Sequence, residues 1–436
     1  MLQYLEIRKF LLISLMTLIF FHFFKEEYSV YYLLLSIVYI SSLLFVISDK
    51  EIYFYNSPTA LFYFVLMLYF IWLAVWTLRF YNLDNNIIDF DLRQYLVGIG
   101  RMMLMPLIVL IFLKLLTKKE DYEKIILFFI FAYCIGTLTM LLQQFVGNIF
   151  FFGNFGPPRF AGLNVYPSSL GNITVFGSGV GMALICCFLN DKLNLFLKGI
   201  AVSLLILGVF LTMQKSALIN LIIAVLILCL TINIRSLLGL FLILISLITL
   251  LFLVYPGIIT NILSLVSNTL GLDIRFGDRS LLHLGIYDSI FNRFIDRQLD
   301  WLRPPSGVVE LLFGWGIPGG SQAMGYSFTS SVDMQMDHRI NPMISIGTTH
   351  NQYLDLYQMG GIFLPLTLMG LIICANIQLF INWIQFNDRL SKIFFFLNAI
   401  FTINLFVANG VLFQPIASIP FWLSISYLLR PKKPGE

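Results

Sequence analysis

The sequence predicts an all-α polytopic membrane protein with about twelve transmembrane helices. Of the 436 residues, 59% are hydrophobic and only 11% are charged. Soluble domains carry about 25% charged residues, so this chain has too few polar side chains to cover a water-soluble globule. Continuous apolar runs of roughly 17–25 residues, the length that spans a bilayer as a helix, recur along the whole chain. Their continuity excludes the alternating strands of a membrane β-barrel.

The apolar runs define twelve candidate spans and one long connection. No linker divides the spans, so we expect one membrane domain over residues 1–436, with a large outer loop at 256–349 inside it. The predicted spans cover residues 10–24, 30–47, 60–78, 95–116, 125–146, 169–189, 195–213, 217–234, 236–255, 360–382, 393–413 and 415–429.

The distribution of Lys and Arg predicts the orientation of these spans. With a cytoplasmic N-terminus, the inner loops hold fifteen basic residues and the short outer loops hold five, which follows the positive-inside rule. Both termini are then cytoplasmic, and the 256–349 loop lies outside. Chemistry at that face has no nucleotide sugar, so a group transfer there needs a donor that carries its own energy, such as a lipid diphosphate.

Arg101 is the first candidate functional residue along the chain, because it lies within the fourth predicted span. Charges inside spans are costly and usually face the bundle interior or a water-filled cavity. The alternative is an arginine that extends outward to the interface.

Arg159 is the single charge in "GNFGPPRFAGLNVYPSSLG" (153–171), a Gly- and Pro-rich turn between the fifth and sixth predicted spans. Its planar guanidinium matches pairs of phosphate or carboxylate oxygens. The alternative is contact with lipid headgroups.

Lys215, in "LTMQKSALIN" (211–220), separates two apolar runs on the predicted outer side. At a helix N-terminus the dipole already favours an anion, so this lysine suits a phosphate site. The alternative is a turn residue whose amine reaches the interface.

Arg275 and Arg279 open an apolar pattern with helical spacing that continues to Leu299 in the outer loop. The pattern predicts an amphipathic helix on the membrane surface or over the bundle. Both arginines are candidate anion ligands, although Asp273 and Asp278 beside them offer simple ion pairs. The "LLFGWGIPGG" stretch (311–320) predicts a Gly-rich turn.

His350 and Asn351 stand where the outer loop meets a helix that we expect to run into the tenth span. A neutral imidazole accepts a proton from a sugar hydroxyl near neutral pH. Asn351 suits a hydroxyl or an N-acetyl group. His22, His283 and His338 lack a comparable setting. No His, Cys or carboxylate cluster has metal-ligand spacing, so we expect no metal and no cofactor.

Taken together, these stretches resemble the O-antigen ligase and O-antigen polymerase superfamily of bacterial membrane glycan transferases. The family pattern is His, then Asn or Ser, nine residues, Gly, two residues and often a second Gly. His350, Asn351 and Gly361 are similar to its first three fixed positions, whereas Leu364 stands at the position of the second Gly. "RFAGLNVYP" resembles the family's Arg-x-x-Gly…Pro turn. "QKSA" puts Lys215 where the family usually has arginine, and "GDRSLLHLGI" matches a loop arginine at Arg279.

This resemblance implies a fold similar to that of metal-independent, inverting C-type glycosyltransferases in the bacterial inner membrane. The donor is then a glycan on undecaprenyl diphosphate at the periplasmic face, and the acceptor is lipid A–core or another glycan. His350 and Arg279 are the implied catalytic residues, and Arg159, Lys215 and Asn351 are the implied substrate ligands. From their positions in the sequence, Arg275 and Arg101 are further candidate substrate ligands. The further partner that we expect is membrane lipid, and we expect no nucleic acid.

Three functions remain open at this stage. A ligase moves the finished glycan onto lipid A–core, and this is the reaction that we favour. A polymerase extends a chain with repeat units and carries the same signature. A lipid-linked oligosaccharide transporter is the alternative of another class, but such carriers often show inverted repeats, and this sequence shows none.

Overall fold

The computed structural model describes residues 2–20, 28–48, 55, 57–83, 92–146, 171–212, 215–231, 307–314, 316, 351–407, 412 and 415–431. Within these residues the chain forms thirteen helices and no strand, which confirms the all-helical class for the described part. The helices are α1 (Leu2–Phe20), α2 (Tyr28–Ser48), α3 (Pro58–Leu83), α4 (Leu92–Leu115), α5 (Lys119–Val146), α6 (Gly171–Leu189), α7 (Leu195–Thr212), α8 (Lys215–Thr231), α9 (Val308–Phe313), α10 (Gln352–Gly360), α11 (Phe363–Phe386), α12 (Arg389–Val407) and α13 (Pro415–Leu429).

Five of the described helices are long and apolar enough to cross a membrane. Their apolar parts are Pro58–Leu78, Lys119–Leu142, Leu195–Thr212, Phe363–Phe386 and Arg389–Phe406. Shorter apolar helical stretches occur in α2, α4, α6, α8 and α13. Helices thus occupy eleven of the twelve predicted segments, and the architecture is that of a helical membrane protein. The predicted span at 236–255 and the predicted amphipathic helix of the outer loop fall outside the described residues.

The chain divides into two compact units. The first contains Met1–Lys50, Lys114–Ile290 and Lys392–Phe401, and the second contains Glu51–Leu113, Phe291–Ser391 and Thr402–Glu436. The single membrane domain stays a prediction.

In the first unit, α5, α6, α7 and α8 pack on one another. Glycines in α6 permit the close approach: a Cβ on Gly179 would lie 1.6 Å from the Tyr133 hydroxyl oxygen, and one on Gly181 would lie 2.7 Å from the Asn220 carbonyl oxygen. Small residues of this kind are typical of helix contacts in membranes, where the backbones must come close.

A polar cluster joins three segments of the first unit that the sequence predicts on the cytoplasmic side. The Arg8 guanidinium donates to the Leu115 carbonyl at 2.7 Å and to the Asp121 carboxylate at 2.8 Å. Lys192, between α6 and α7, pairs with Glu123 at the start of α5. These contacts support a common side for the start of α1, the α4–α5 connection and the α6–α7 connection.

In the second unit, α3 and α11 pack in antiparallel fashion, with α13 against both. Thr59 near the start of α3 donates to Gln378 of α11 at 2.9 Å, whereas Tyr69, further along α3, donates to the Gly360 carbonyl just before α11. The Tyr55 amide donates to the Leu429 carbonyl at 2.9 Å and ties the start of this unit to the end of α13.

The predicted continuous helix from Tyr353 into the tenth span is wrong at one point. The helix stops at Gly360, a turn occupies Gly361 and Ile362, and α11 begins at Phe363. The physical reason is the backbone of Gly361, whose φ of 65° lies in the left-handed region and ends an α-helix.

Candidate functional site

The predicted site residues divide between those that the structure describes and those that it does not. Asn351 is described with its side chain. The backbones of Arg101 and Lys215 are described as helical. The remaining four predicted residues, His350, Arg279, Arg159 and Arg275, lie outside the described residues, so their roles stay predictions.

Asn351 is the N-cap of α10. Its side-chain oxygen accepts from the Tyr353 amide at 2.9 Å and from the Leu354 amide at 3.4 Å, and its backbone is extended (φ −139°, ψ 113°). Asn is among the strongest capping residues because its oxygen satisfies amides that have no partner within the helix. As predicted, a helix therefore begins directly after the His–Asn pair. The predicted substrate contact of Asn351 stays a prediction.

The other end of α10 is also capped. Gly361 is the C-cap, and its amide donates to the Tyr357 carbonyl at 2.8 Å. A Cβ at Gly361 would lie 2.1 Å from the carbonyl carbon of Leu312, which is far inside van der Waals contact. The conformation and the lack of space both require glycine here.

A second chain segment docks on this C-terminal end of α10. We call the assembly the glycine junction: Leu311–Gly314 and Gly316 on one side, Met359–Ile362 on the other. The Gly316 amide donates to the Met359 carbonyl at 2.9 Å, and the Ile362 amide donates to the Leu311 carbonyl at 3.0 Å. Gly314 has φ 67°, and a Cβ there would lie 2.4 Å from the Gly361 amide nitrogen. Two backbones thus meet without side chains between them. The predicted Gly-rich turn at 311–320 is wrong at its start, because Leu311–Phe313 form the end of α9. Gly314 and Gly316 have positive φ, and the other residues of that stretch lie outside the described residues.

Aromatic side chains of α3 hold the glycine junction in place. The Trp76 indole donates to the Gly314 carbonyl at 3.2 Å. Trp72 stacks on Trp76 with ring centroids 5.2 Å apart, and Phe313 lies 4.9 Å from the Trp72 ring. The Tyr69 hydroxyl donates to the Gly360 carbonyl. This packing fixes the position of α10 within its unit.

The body of α10 is polar for a buried helix. Gln352 is 0% exposed, Asp355 is 5% exposed, and Gln358 is buried as well. Gln352 and Asp355 are three positions apart and share one helix face. Sequence analysis missed both residues, although a signal existed: polar side chains at helical spacing directly after the predicted catalytic histidine.

Tyr353 is buried at the start of α10, and burial affects its hydroxyl. Its ring packs on Phe406 at 4.6 Å between centroids. Burial raises the pKa of its hydroxyl to about 12, so the phenol stays protonated throughout the neutral range.

Lys215 begins α8, as predicted, and α8 lies beside α6 in the first unit. The connections from α6 to α7 and from α7 to α8 are both short, so α6 and α8 run in the same direction. Asn220, the sixth residue of α8, donates to the carbonyl of Gly177, the seventh residue of α6, at 3.2 Å. Both helices thus begin at about the same level, and two positive helix ends lie side by side at Lys215. Such an end suits an anion.

Arg101 lies inside α4, as predicted, fourteen residues before the helix ends at Leu115. Among the described residues, no group of three or more His, Cys, Asp or Glu side chains could hold a metal ion.

Comparison with known proteins gives no further identification. No family model matches the chain, no curated protein is similar to it, and no solved structure matches it significantly. What the described residues establish is a helical membrane architecture with a doubly capped polar helix directly after a His–Asn pair.

Proposed function

We propose that this chain is a membrane glycosyltransferase of the O-antigen ligase type. It moves a preassembled glycan from undecaprenyl diphosphate to a sugar hydroxyl of lipid A–core at the periplasmic face of the bacterial inner membrane. The proposal includes twelve spans, two cytoplasmic termini and a periplasmic loop at 256–349. The alternative reaction of the same class is chain extension by a polymerase.

The observation that carries the proposal is the match between the signature spacing and α10. In the pattern His, Asn or Ser, nine residues, Gly, the second position is Asn351, the N-cap, and the last is Gly361, the C-cap. The nine residues between them are the helix itself. Asn and Ser are both good N-caps, and Gly is the residue that adopts a positive φ such as that of Gly361 without strain. Each fixed residue after the histidine thus has a physical reason, and the pattern describes a rigid helix that presents the preceding side chain.

The proposed chemistry follows from these residues. His350 removes the proton from the acceptor hydroxyl, whose oxygen attacks the anomeric carbon of the donor sugar. The bond from that carbon to the diphosphate oxygen breaks, and its electron pair leaves with undecaprenyl diphosphate. Arg279, Arg275 and Arg159, with Lys215 at the start of α8, stabilise the diphosphate as its charge develops. Arg101 is proposed to face a polar cavity within the membrane.

Purified protein in liposomes with undecaprenyl-diphosphate-linked repeat units, with and without lipid A–core, tests the proposal. Product that forms only when core is supplied means a ligase. A ladder of longer lipid-linked chains without core means a polymerase. Movement of the lipid-linked glycan across the bilayer without any new glycosidic bond would refute both and favour a transporter.

A further inference from the structure

The side chain of Gln352 presents a buried amide that the fold leaves unsatisfied. Gln352 is the first residue of α10 and is 0% exposed. Neither its Nε2 nor its Oε1 has a hydrogen-bond partner in the part of the chain that the structure describes. Buried polar groups are nearly always paired in folded proteins, so an unpaired one needs an explanation, such as a bound water, an ion or a ligand.

The position of this amide connects it with the proposed reaction. Gln352 follows Asn351 directly and stands two residues after His350 in the sequence. The Asn351 cap and the glycine junction fix both ends of α10. A ligand bound by Gln352 is therefore held at the start of α10, next to Asn351.

The chemistry of the amide selects the class of ligand. Nε2 offers two donors and Oε1 is an acceptor, so full pairing needs a ligand group that both donates and accepts. A sugar hydroxyl or an acetamido group does both. A diphosphate only accepts and would leave Oε1 unpaired, so the amide matches the glycan and not the lipid diphosphate.

We propose that Gln352 binds a hydroxyl or acetamido group of a glycan, and thereby helps to select the sugar that takes part in the transfer. This inference rests on the proposed function. Because the amide is fully buried, a glycan reaches it only when the surrounding side chains move apart, so the contact belongs to the glycan-bound form. The sugar comes either from the donor or from the acceptor, and the test separates the two sources.

The test compares Gln352→Met with a matched control, Asn376→Leu. Met has nearly the shape of Gln and no polar group. Asn376 in α11 also has a buried side-chain oxygen without a partner among the described residues. Replacing an unpaired buried amide by an apolar group of similar shape is close to neutral or stabilising, so both variants are expected to fold with an unchanged or higher unfolding temperature.

Transfer kinetics in liposomes then decide the question. We expect Gln352→Met to raise KM for the lipid-linked glycan or for the acceptor glycan about ten-fold, because the loss of one hydrogen bond to the ligand weakens binding by roughly that factor. A rise confined to the donor identifies the donor glycan, and a rise confined to the acceptor identifies the acceptor glycan. Inhibition by undecaprenyl diphosphate without sugar should not change, and Asn376→Leu should keep both KM values.

Two results would overturn the inference. Unchanged KM values in Gln352→Met would mean that a buried water alone satisfies the amide. Weaker inhibition by sugar-free undecaprenyl diphosphate would mean that Gln352 binds the diphosphate instead. If Gln352→Met does not fold, Gln352→Asn serves in its place, because its side chain is one methylene shorter and moves the amide away from the ligand. Gln352→Asn is expected to raise the same KM. An unchanged KM in that variant also overturns the inference. Failure of the wild-type protein to transfer any glycan would instead refute the proposed function.

Discussion

At the residue scale, the cap that Asn351 forms and its predicted substrate contact would compete for the same oxygen. That oxygen accepts from the Tyr353 and Leu354 amides and so starts α10. A hydrogen bond from a substrate hydroxyl to the same atom would have to share it with the cap. The structure therefore favours an indirect role, in which Asn351 fixes the helix and the helix fixes the position of its neighbours.

Substitution of Asn351 separates these two roles. Asn351→Ser keeps a capping oxygen and is expected to keep both stability and most of the transfer activity. Asn351→Ala loses the cap and should cost about 1 kcal/mol of stability, with a loss of activity. Thermal unfolding in detergent and transfer in liposomes measure the two effects. Loss of transfer in a fully stable Asn351→Ser protein would show direct substrate contact instead.

The charge of Lys215 can be tested in the same assay. Lys215→Arg keeps a cation at the start of α8 and should remain active, whereas Lys215→Gln should lower the transfer rate about 100-fold, the typical effect of one lost electrostatic contact to a leaving group. Lys192→Gln is the control, because its partner Glu123 belongs to the polar cluster at the predicted cytoplasmic side. Equal activity in Lys215→Gln and Lys192→Gln would remove Lys215 from the site.

At the scale of elements, α10 is a short helix whose stability depends on its two ends. Isolated helices of nine residues are marginal in water, because nucleation is costly and few hydrogen bonds follow. The N-cap, the C-cap and the glycine junction supply the stability that so short a helix lacks by itself. The helix is thus a rigid mount between the predicted histidine and the long apolar helix α11.

Gly361→Ala tests the glycine junction directly. Gly361 has φ 65° and ψ −165°, a region that essentially only glycine adopts, so alanine there is strained by about 1–3 kcal/mol. The alanine Cβ would also overlap the Leu312 backbone, so we expect a loss of more than about 2 kcal/mol of stability. Gly100→Ala is the matched control, because no atom lies within 4 Å of a Cβ there and the residue is helical. That variant should unfold at an unchanged or higher temperature. A Gly361→Ala protein as stable as wild type would contradict the described junction.

The elements also show which features sequence reasoning captures. Continuous apolar runs located the long helices, because burial in lipid requires length and apolar composition and little else. The break at Gly361 could not be predicted, because the apolar composition continues through it. Its cause is the close approach of the Leu312 backbone, which is far away in the sequence. The burial of Gln352 and Asp355 escaped because polar residues normally face water, and only tertiary packing makes them buried. The cap at Asn351 could have been predicted from the sequence, because Asn directly before a predicted helix is a common start signal.

At the scale of the whole molecule, contacts within each unit agree with the predicted topology. In the first unit, Arg8, Asp121 and Lys192 belong to the polar cluster of segments predicted to be cytoplasmic. In the second, Tyr55 contacts Leu429, and both are predicted on that side. The described part of the predicted outer loop, at the glycine junction, contacts the opposite end of α3. The second unit thus has its predicted inner and outer segments at opposite ends of α3.

Cysteine labelling of intact spheroplasts tests this topology. In a background without the five native cysteines, Gly307→Cys should react with a membrane-impermeant maleimide, because residue 307 is exposed and predicted to be outside. Thr117→Cys, exposed between α4 and α5, should react only after permeabilisation. The reverse labelling pattern would mean that the protein has the opposite orientation, with the His–Asn pair on the cytoplasmic side.

The most direct test of the central claim is glycan transfer by His350→Ala in liposomes that contain lipid-linked donor and lipid A–core, with His338→Ala as the control. Both proteins should insert at wild-type levels. The account predicts that His350→Ala loses transfer and that His338→Ala keeps it, since only His350 lies directly before the Asn351 cap of α10. Full transfer by a well-inserted His350→Ala protein would contradict the proposed chemistry.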